Sequence, residues 1–150
     1  MNKLVTIVIT SYRSRELILS HIKILNKNIK NVKIIIVENS RDKILKNIIQ
    51  RKFKNVQIFL QKNIGFGSAI NYGAKFVKTK YFFIMNPDTK IYKNTINNLL
   101  SSAKKIKVFG GLSPEHDENK KNITYKKIKT EKKKITGGAM LFQTEIFKKI

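Results

Sequence analysis

Asp88 is the only acidic residue between Asp42 and Glu115, in a stretch crowded with lysine. It stands in Asn86-Pro87-Asp88-Thr89, directly after the apolar run Tyr81–Met85. Proline has no N–H to give a sheet and fixes its own φ. Pro87 therefore ends the run and leaves the carboxylate at its carboxyl end. A carboxylate there suits a hard divalent cation, Mg²⁺ or Mn²⁺, shared with a substrate diphosphate. The same four residues also read as an ordinary turn held by local hydrogen bonds. Three other loops carry polar or glycine chemistry. Thr10-Ser11-Tyr12 offers a ring that would stack on a base or fill a turn. Glu38-Asn39-Ser40-Arg41-Asp42 offers an acid able to accept from a base or ribose, and Ser40 or Asp42 reads as the cap of a following helix. Asn63-Ile64-Gly65-Phe66-Gly67 runs on to Asn71 and Gly73. Gly65 and Gly67 permit close backbone approach, and a helix beginning there favours an anion.

Each of these loops follows a short apolar run. Leu4–Ile9, Val32–Val37, Val56–Leu60 and Tyr81–Met85 are β-rich and too short for helices. Between them lie helical stripes: Ile18, Ile22 and Leu25; then Ile44, Ile48 and Ile49; then Phe66, Ala69, Ile70, Gly73, Phe76 and Val77. Ile96, Leu99, Leu100 and Ala103 mark a fourth helix, and Ile106–Gly111 is expected as a fifth strand. Apolar strands alternating with helices mean an α/β fold, a mostly parallel sheet covered on both faces. Ligands bind such sheets outside the carboxyl ends of the strands, where these four loops fall. Residues 1–111 are expected to form this core. The lysine-rich 117–134 stretch, within 112–135, reads as a basic loop or hairpin. From Thr136 the chain returns to core character, with Thr144 as the cap of a last helix.

The 150 residues allow one domain, which buries roughly 70% of its unfolded surface. With no cysteine there is no disulfide framework, thiol nucleophile or cysteine metal site. His21 and His116 alone make no multi-histidine centre. No apolar run approaches the roughly 18 residues of a membrane span, and Leu4–Ile9 is too short for a signal peptide. The expected place is the cytoplasm or the inner face of the membrane. The net charge of +23 first suggests nucleic acid or anionic lipid. Yet the only arginines are Arg13, Arg15, Arg41 and Arg51; lysine supplies the rest of the 32 basic residues. Arginine is the better reader of phosphate and base edges, so the charge reads as compositional drift, with no specific nucleic acid as partner. A basic module for nucleic acid or anionic membrane stays as an alternative. So does a Rossmann-type dinucleotide enzyme, since Gly65-x-Gly67 precedes Asp88 by about 20 residues. Against it, Ile70 takes the third glycine position and the loop follows the third strand rather than the first.

Together the segments resemble the family-2 glycosyltransferases of GT-A fold, especially their rhamnosyltransferase-like branch. Thr6–Tyr12 looks like the opening strand and Thr-Tyr turn. Ile35–Ser40 looks like the Val-Asp-Asn-Gly-Ser segment, with Glu38 in place of Asp. Asn63–Gly73 is close to the Asn-x-Gly-Phe box. Asn86–Thr89 is the branch's form of the Asp-x-Asp motif, and Thr136–Leu141 looks like the Gly-x-Met-Leu strand. The resemblance implies a three-layer α/β/α sandwich. It implies transfer of a sugar, with inversion, from a nucleoside diphosphate donor (dTDP- or UDP-linked) to an acceptor hydroxyl on a saccharide or lipid carrier. The setting it implies is bacterial surface-polysaccharide synthesis, with peripheral membrane association. Carried over, Thr10, Tyr12 and Glu38 line the nucleoside pocket; Asn63, Gly65, Asn71 and Asn86 flank the donor; Asp88 holds the divalent metal. The family's general base follows the Gly-x-Met-Leu strand in an acidic segment. No residue up to Ile150 matches it, so residues 136–150 are expected to begin an acceptor side and the chain to be the donor-binding half.

Overall fold

The computed structural model describes residues 4–92, 94–106, 108–114 and 138–149. Its centre is β1 (Val5–Ser11), a seven-residue strand with every residue buried. β1 pairs in parallel with β2 (Lys33–Glu38) on one side and β4 (Tyr81–Met85) on the other. β3 (Val56–Leu60) adds in parallel to β2, and β5 (Ala139–Gln143) adds antiparallel to β4. The sheet order is β3-β2-β1-β4-β5.

The apolar character of both strand faces is explained by two cores. Val5, Ile7 and Ile9 pack with α1 (Arg15–Asn28), α2 (Lys43–Lys52) and α4 (Thr95–Lys105). Val8, Ile35, Val37, Phe82 and Ile84 face the other way and pack with α3 (Phe66–Ala74). Phe147 of the one-turn helix α5 (Thr144–Phe147) meets Phe82 edge-on, with ring centroids 4.9 Å apart. The α/β three-layer architecture is therefore as expected, and β5 makes the sheet mostly, not wholly, parallel.

The last strand differs from the expectation. Of residues 106–111, none of those described lies in a strand, and residue 107 lies outside the described residues. Val108 is 73% exposed, whereas Phe109 is buried and stacked on Tyr81 at 6.1 Å, and Ile106 packs partly buried on the core. The free edge of β4 is taken instead by Ala139–Gln143. Its alternation fits both cores: Ala139 and Leu141 enter one, and Phe142 packs on the other. Leu112 reaches this strand through a single bridge to Leu141. Two smaller corrections follow. α3 ends at Ala74, short of Phe76 and Val77. Thr144 begins its helix rather than capping it, and its hydroxyl donates to the Thr79 carbonyl at 2.8 Å. The expected basic hairpin at 117–134 and the Thr136-Gly137 pair lie outside the described residues.

Candidate functional site

The chain leaves β1 toward β2 and leaves β4 toward the opposite edge, so the loops at their carboxyl ends diverge. Such a switch point opens a crevice in a parallel sheet. Here it is a cleft of about 360 Å³. Thr10 and Ser11 line it from the end of β1 and Tyr12 and Ser14 from the loop after it, with Leu17 on α1 and Asn39 after β2. Asn63 and Phe66 come from the loop into α3, and Asn86, Pro87 and Asp88 from the end of β4.

Five of the residues singled out by sequence thus meet: Thr10, Tyr12, Asn63, Asn86 and Asp88. Tyr12 is 48% exposed, with the Arg13 guanidinium over its ring at 5.2 Å. Asp88 is exposed on its turn, next to half-buried Pro87. Among the described residues, no three His, Cys, Asp or Glu side chains converge as a metal cage. A lone carboxylate still fits Mg²⁺ or Mn²⁺, which keeps much of its shell for water and substrate phosphate.

The other three candidates sit differently. Asn71 is exposed on α3 and is not among the cleft-lining residues. Gly65 caps α3 with φ of +95°, a conformation side chains rarely adopt, and its N–H donates to the Asn63 side chain at 3.2 Å. An added Cβ at Gly65 or Gly67 would meet nothing within 4 Å, so space above this loop is open. Glu38 is 1% exposed and does not line the cleft. Its carboxylate accepts from the Ser40 N–H at 3.0 Å, the Asp42 N–H at 2.6 Å and the Ser40 hydroxyl. It winds its own loop into shape. Asp42 then caps α2, accepting from Leu45 N–H at 2.9 Å. Its carboxylate also receives a two-pronged bond from Arg15 at 2.7 and 2.9 Å. The guanidinium holds the Asp42 carboxyl below its usual range.

His21 is the residue sequence reading passed over. It lies 7% exposed on the apolar face of α1, among Ile18, Ile22 and Leu25. Its Nδ1 bonds the Pro87 carbonyl. A carbonyl only accepts, so Nδ1 carries the proton. The far side of the same turn is tied to Gly138: the Asn86 N–H donates to its carbonyl at 3.1 Å and the Thr89 hydroxyl at 2.9 Å. The Asp88 turn is thus clamped between α1 and the start of β5. A polar residue on the Ile18–Leu25 stripe was the available signal.

Residues 6–148 match the sequence profile of Glycosyl transferase family 2. The chain belongs to that family. An uncharacterized glycosyltransferase of Rickettsia typhi is 32% identical over 105 residues, covering 69% of this chain and 33% of that protein. Among solved structures, the mannosyltransferase PcManGT of Pyrobaculum calidifontis, in complex with GDP-Man and Mn²⁺, superposes with a TM-score of 0.76 at 11% identity. The S. aureus TarS 1–349 structure in complex with UDP-GlcNAc gives 0.72 at 14%. Each alignment covers 97% of this chain and 46% of the other. At such identities the likeness is one of fold, the GT-A arrangement. The chain spans about a third to a half of the length of these relatives.

Proposed function

We propose that the cleft binds a nucleoside diphosphate sugar, and that this chain is the donor-binding part of an inverting glycosyltransferase. The observation that carries the reading is the meeting of Tyr12, Asn63, Asn86 and Asp88 in one crevice at the switch point. The donor complexes of the two solved neighbours support it. Tyr12 stacks on the base, and Thr10 and Asn39 offer hydrogen bonds to the nucleoside. Asn63, Asn86 and the mouth of α3 flank the diphosphate, where the helix N-terminus and the basic surface favour negative charge. Asp88 holds Mg²⁺ or Mn²⁺, which when bound offsets the charge gathering on the departing diphosphate. In the transfer an acceptor oxygen bonds to the anomeric carbon as the carbon–oxygen bond to phosphate breaks, and the acceptor's proton passes to a base. The acceptor is a saccharide or lipid-linked hydroxyl, in keeping with the rhamnosyltransferase-like resemblance and with cell-surface polysaccharide synthesis on the cytoplasmic side. No described helix is long and apolar enough to cross a membrane.

Calorimetry with UDP, dTDP and GDP in Mn²⁺ tests the reading. Binding of at least one, weakened about tenfold or more by Asp88→Ala and by chelation, is expected. Absence of nucleotide binding, or binding indifferent to both, would refute it.

A further inference from the structure

A second cleft, of about 630 Å³, is lined by residues of the segments that follow β1 and β2 and shares none of its lining with the first. Its lining includes Arg13, Arg15, Arg41 and Lys43, with Asp42 as its one carboxylate. Three of the chain's four arginines therefore meet at one place, in a protein whose basic residues are otherwise lysine. Their placement is built. Arg13 and Arg41 hold left-handed backbones, φ of 49° and 58°, at the tips of two neighbouring loops. Such a conformation costs a residue with a side chain of order 1 kcal/mol and persists only where the surroundings impose it. Here Glu38 imposes it. Its carboxylate holds Ser40, and the Ser40 hydroxyl in turn accepts the Arg13 N–H at 3.3 Å. The family's usual Asp is one methylene shorter at the position from which Glu38 makes these bonds.

The charges are unequally used. Arg15 is spent on Asp42. Arg13 lies over the Tyr12 ring at 5.2 Å, and among the described residues neither it, Arg41 nor Lys43 has an acidic partner. Two planar guanidinium forks and an ammonium facing one open cleft match a phosphate dianion, which guanidinium binds through paired N–H bonds.

We propose that this cleft is a second anion site, separate from the donor cleft, taking a phosphate monoester or diphosphate through Arg13 and Arg41. Such a group comes either from a soluble phosphorylated molecule or from a lipid headgroup.

The test uses a charge-preserving double variant, Arg13→Lys/Arg41→Lys, with Arg51→Lys on α2 as control. Pyrophosphate is titrated into the 150-residue chain at physiological salt, with a chelator present so that no metal-bridged site competes. Binding weakened about tenfold in the double variant and unchanged in the control is expected. Vesicles of phosphatidylcholine with phosphatidylglycerol form the second arm. Loss of vesicle binding in the double variant alone assigns the headgroup as the source; vesicle binding equal in all three proteins assigns the soluble phosphate. Because Arg13 lies against Tyr12 of the donor cleft, UDP binding in Mn²⁺ is compared in the single variant Arg41→Lys, where it should stay the same, so failure of the donor reading is seen separately. If both probes bind the double variant as tightly as the wild type, the general lysine field explains the attraction and the site does not exist. If UDP binding falls in parallel with pyrophosphate, the two clefts are one.

Discussion

Gly73 lies on the face of α3 that rests on the centre of the sheet. A Cβ there would stand 2.8 Å from Val8 Cγ1, 3.0 Å from Val37 Cγ2 and 3.8 Å from Ile35 Cγ2. Carbon atoms prefer about 3.5–4.0 Å, so Gly73→Ala forces two contacts well inside the repulsive wall. Neither valine can step aside. Val8 sits in β1, hydrogen-bonded on both edges, and β-branched side chains have little χ1 freedom. α3 must therefore lift. Ala for Gly in a helix gains up to about 1 kcal/mol, whereas overpacking a core costs ~1–3 kcal/mol. The net expectation is a loss of ~1–2 kcal/mol. Gly67, on the same helix, faces open space, and Gly67→Ala should gain a few tenths of a kcal/mol up to about 1 kcal/mol. Urea unfolding read by circular dichroism should show midpoints moving in opposite directions at unchanged slope. A Gly73→Ala midpoint at or above wild type would show that α3 does not seat on the sheet as described.

Three further outcomes are expected. His21→Leu leaves the Pro87 carbonyl unpartnered and loosens the Asp88 turn. Mn²⁺-dependent UDP affinity should fall about tenfold, while His21→Asn, whose amide nitrogen approximates Nδ1, retains it; calorimetry that finds both variants alike would reject the clamp. Glu38→Gln can no longer accept with both oxygens from the Ser40 and Asp42 N–H groups. It should cost ~2 kcal/mol in urea unfolding, against no change if the carboxylate is idle. Asp42→Ala removes the α2 cap and should cost ~1 kcal/mol at neutral pH. Because Arg15 lowers the Asp42 carboxyl's pKa, its contribution is complete above the ordinary Asp value and fades as pH falls through the lowered one. Wild-type and variant stabilities should therefore converge in acid, a trend that pH-dependent unfolding would show directly.

What the chain order carries by itself is its local periodicity. The runs Leu4–Ile9, Val32–Val37, Val56–Leu60 and Tyr81–Met85 are largely apolar on both faces, and helical stripes separate them. Burial on both faces requires a covered, parallel sheet, so the layers and the four loops at its carboxyl edge were legible. Which segment filled the last edge was not. Ile106–Gly111 and Ala139–Gln143 compete for β4, and the choice rests on packing against Phe82, Phe83 and Tyr81, whose positions only the assembled sheet defines. The same holds within the site. Residue types nominated Glu38 and Asp88 alike, as acids after strands. Tertiary structure separated them, because Glu38 is enclosed beneath its own loop while Asp88 is carried on a turn exposed at the cleft. His21 and Gly138, distant in sequence, hold that turn from two sides, a relation no local pattern encodes.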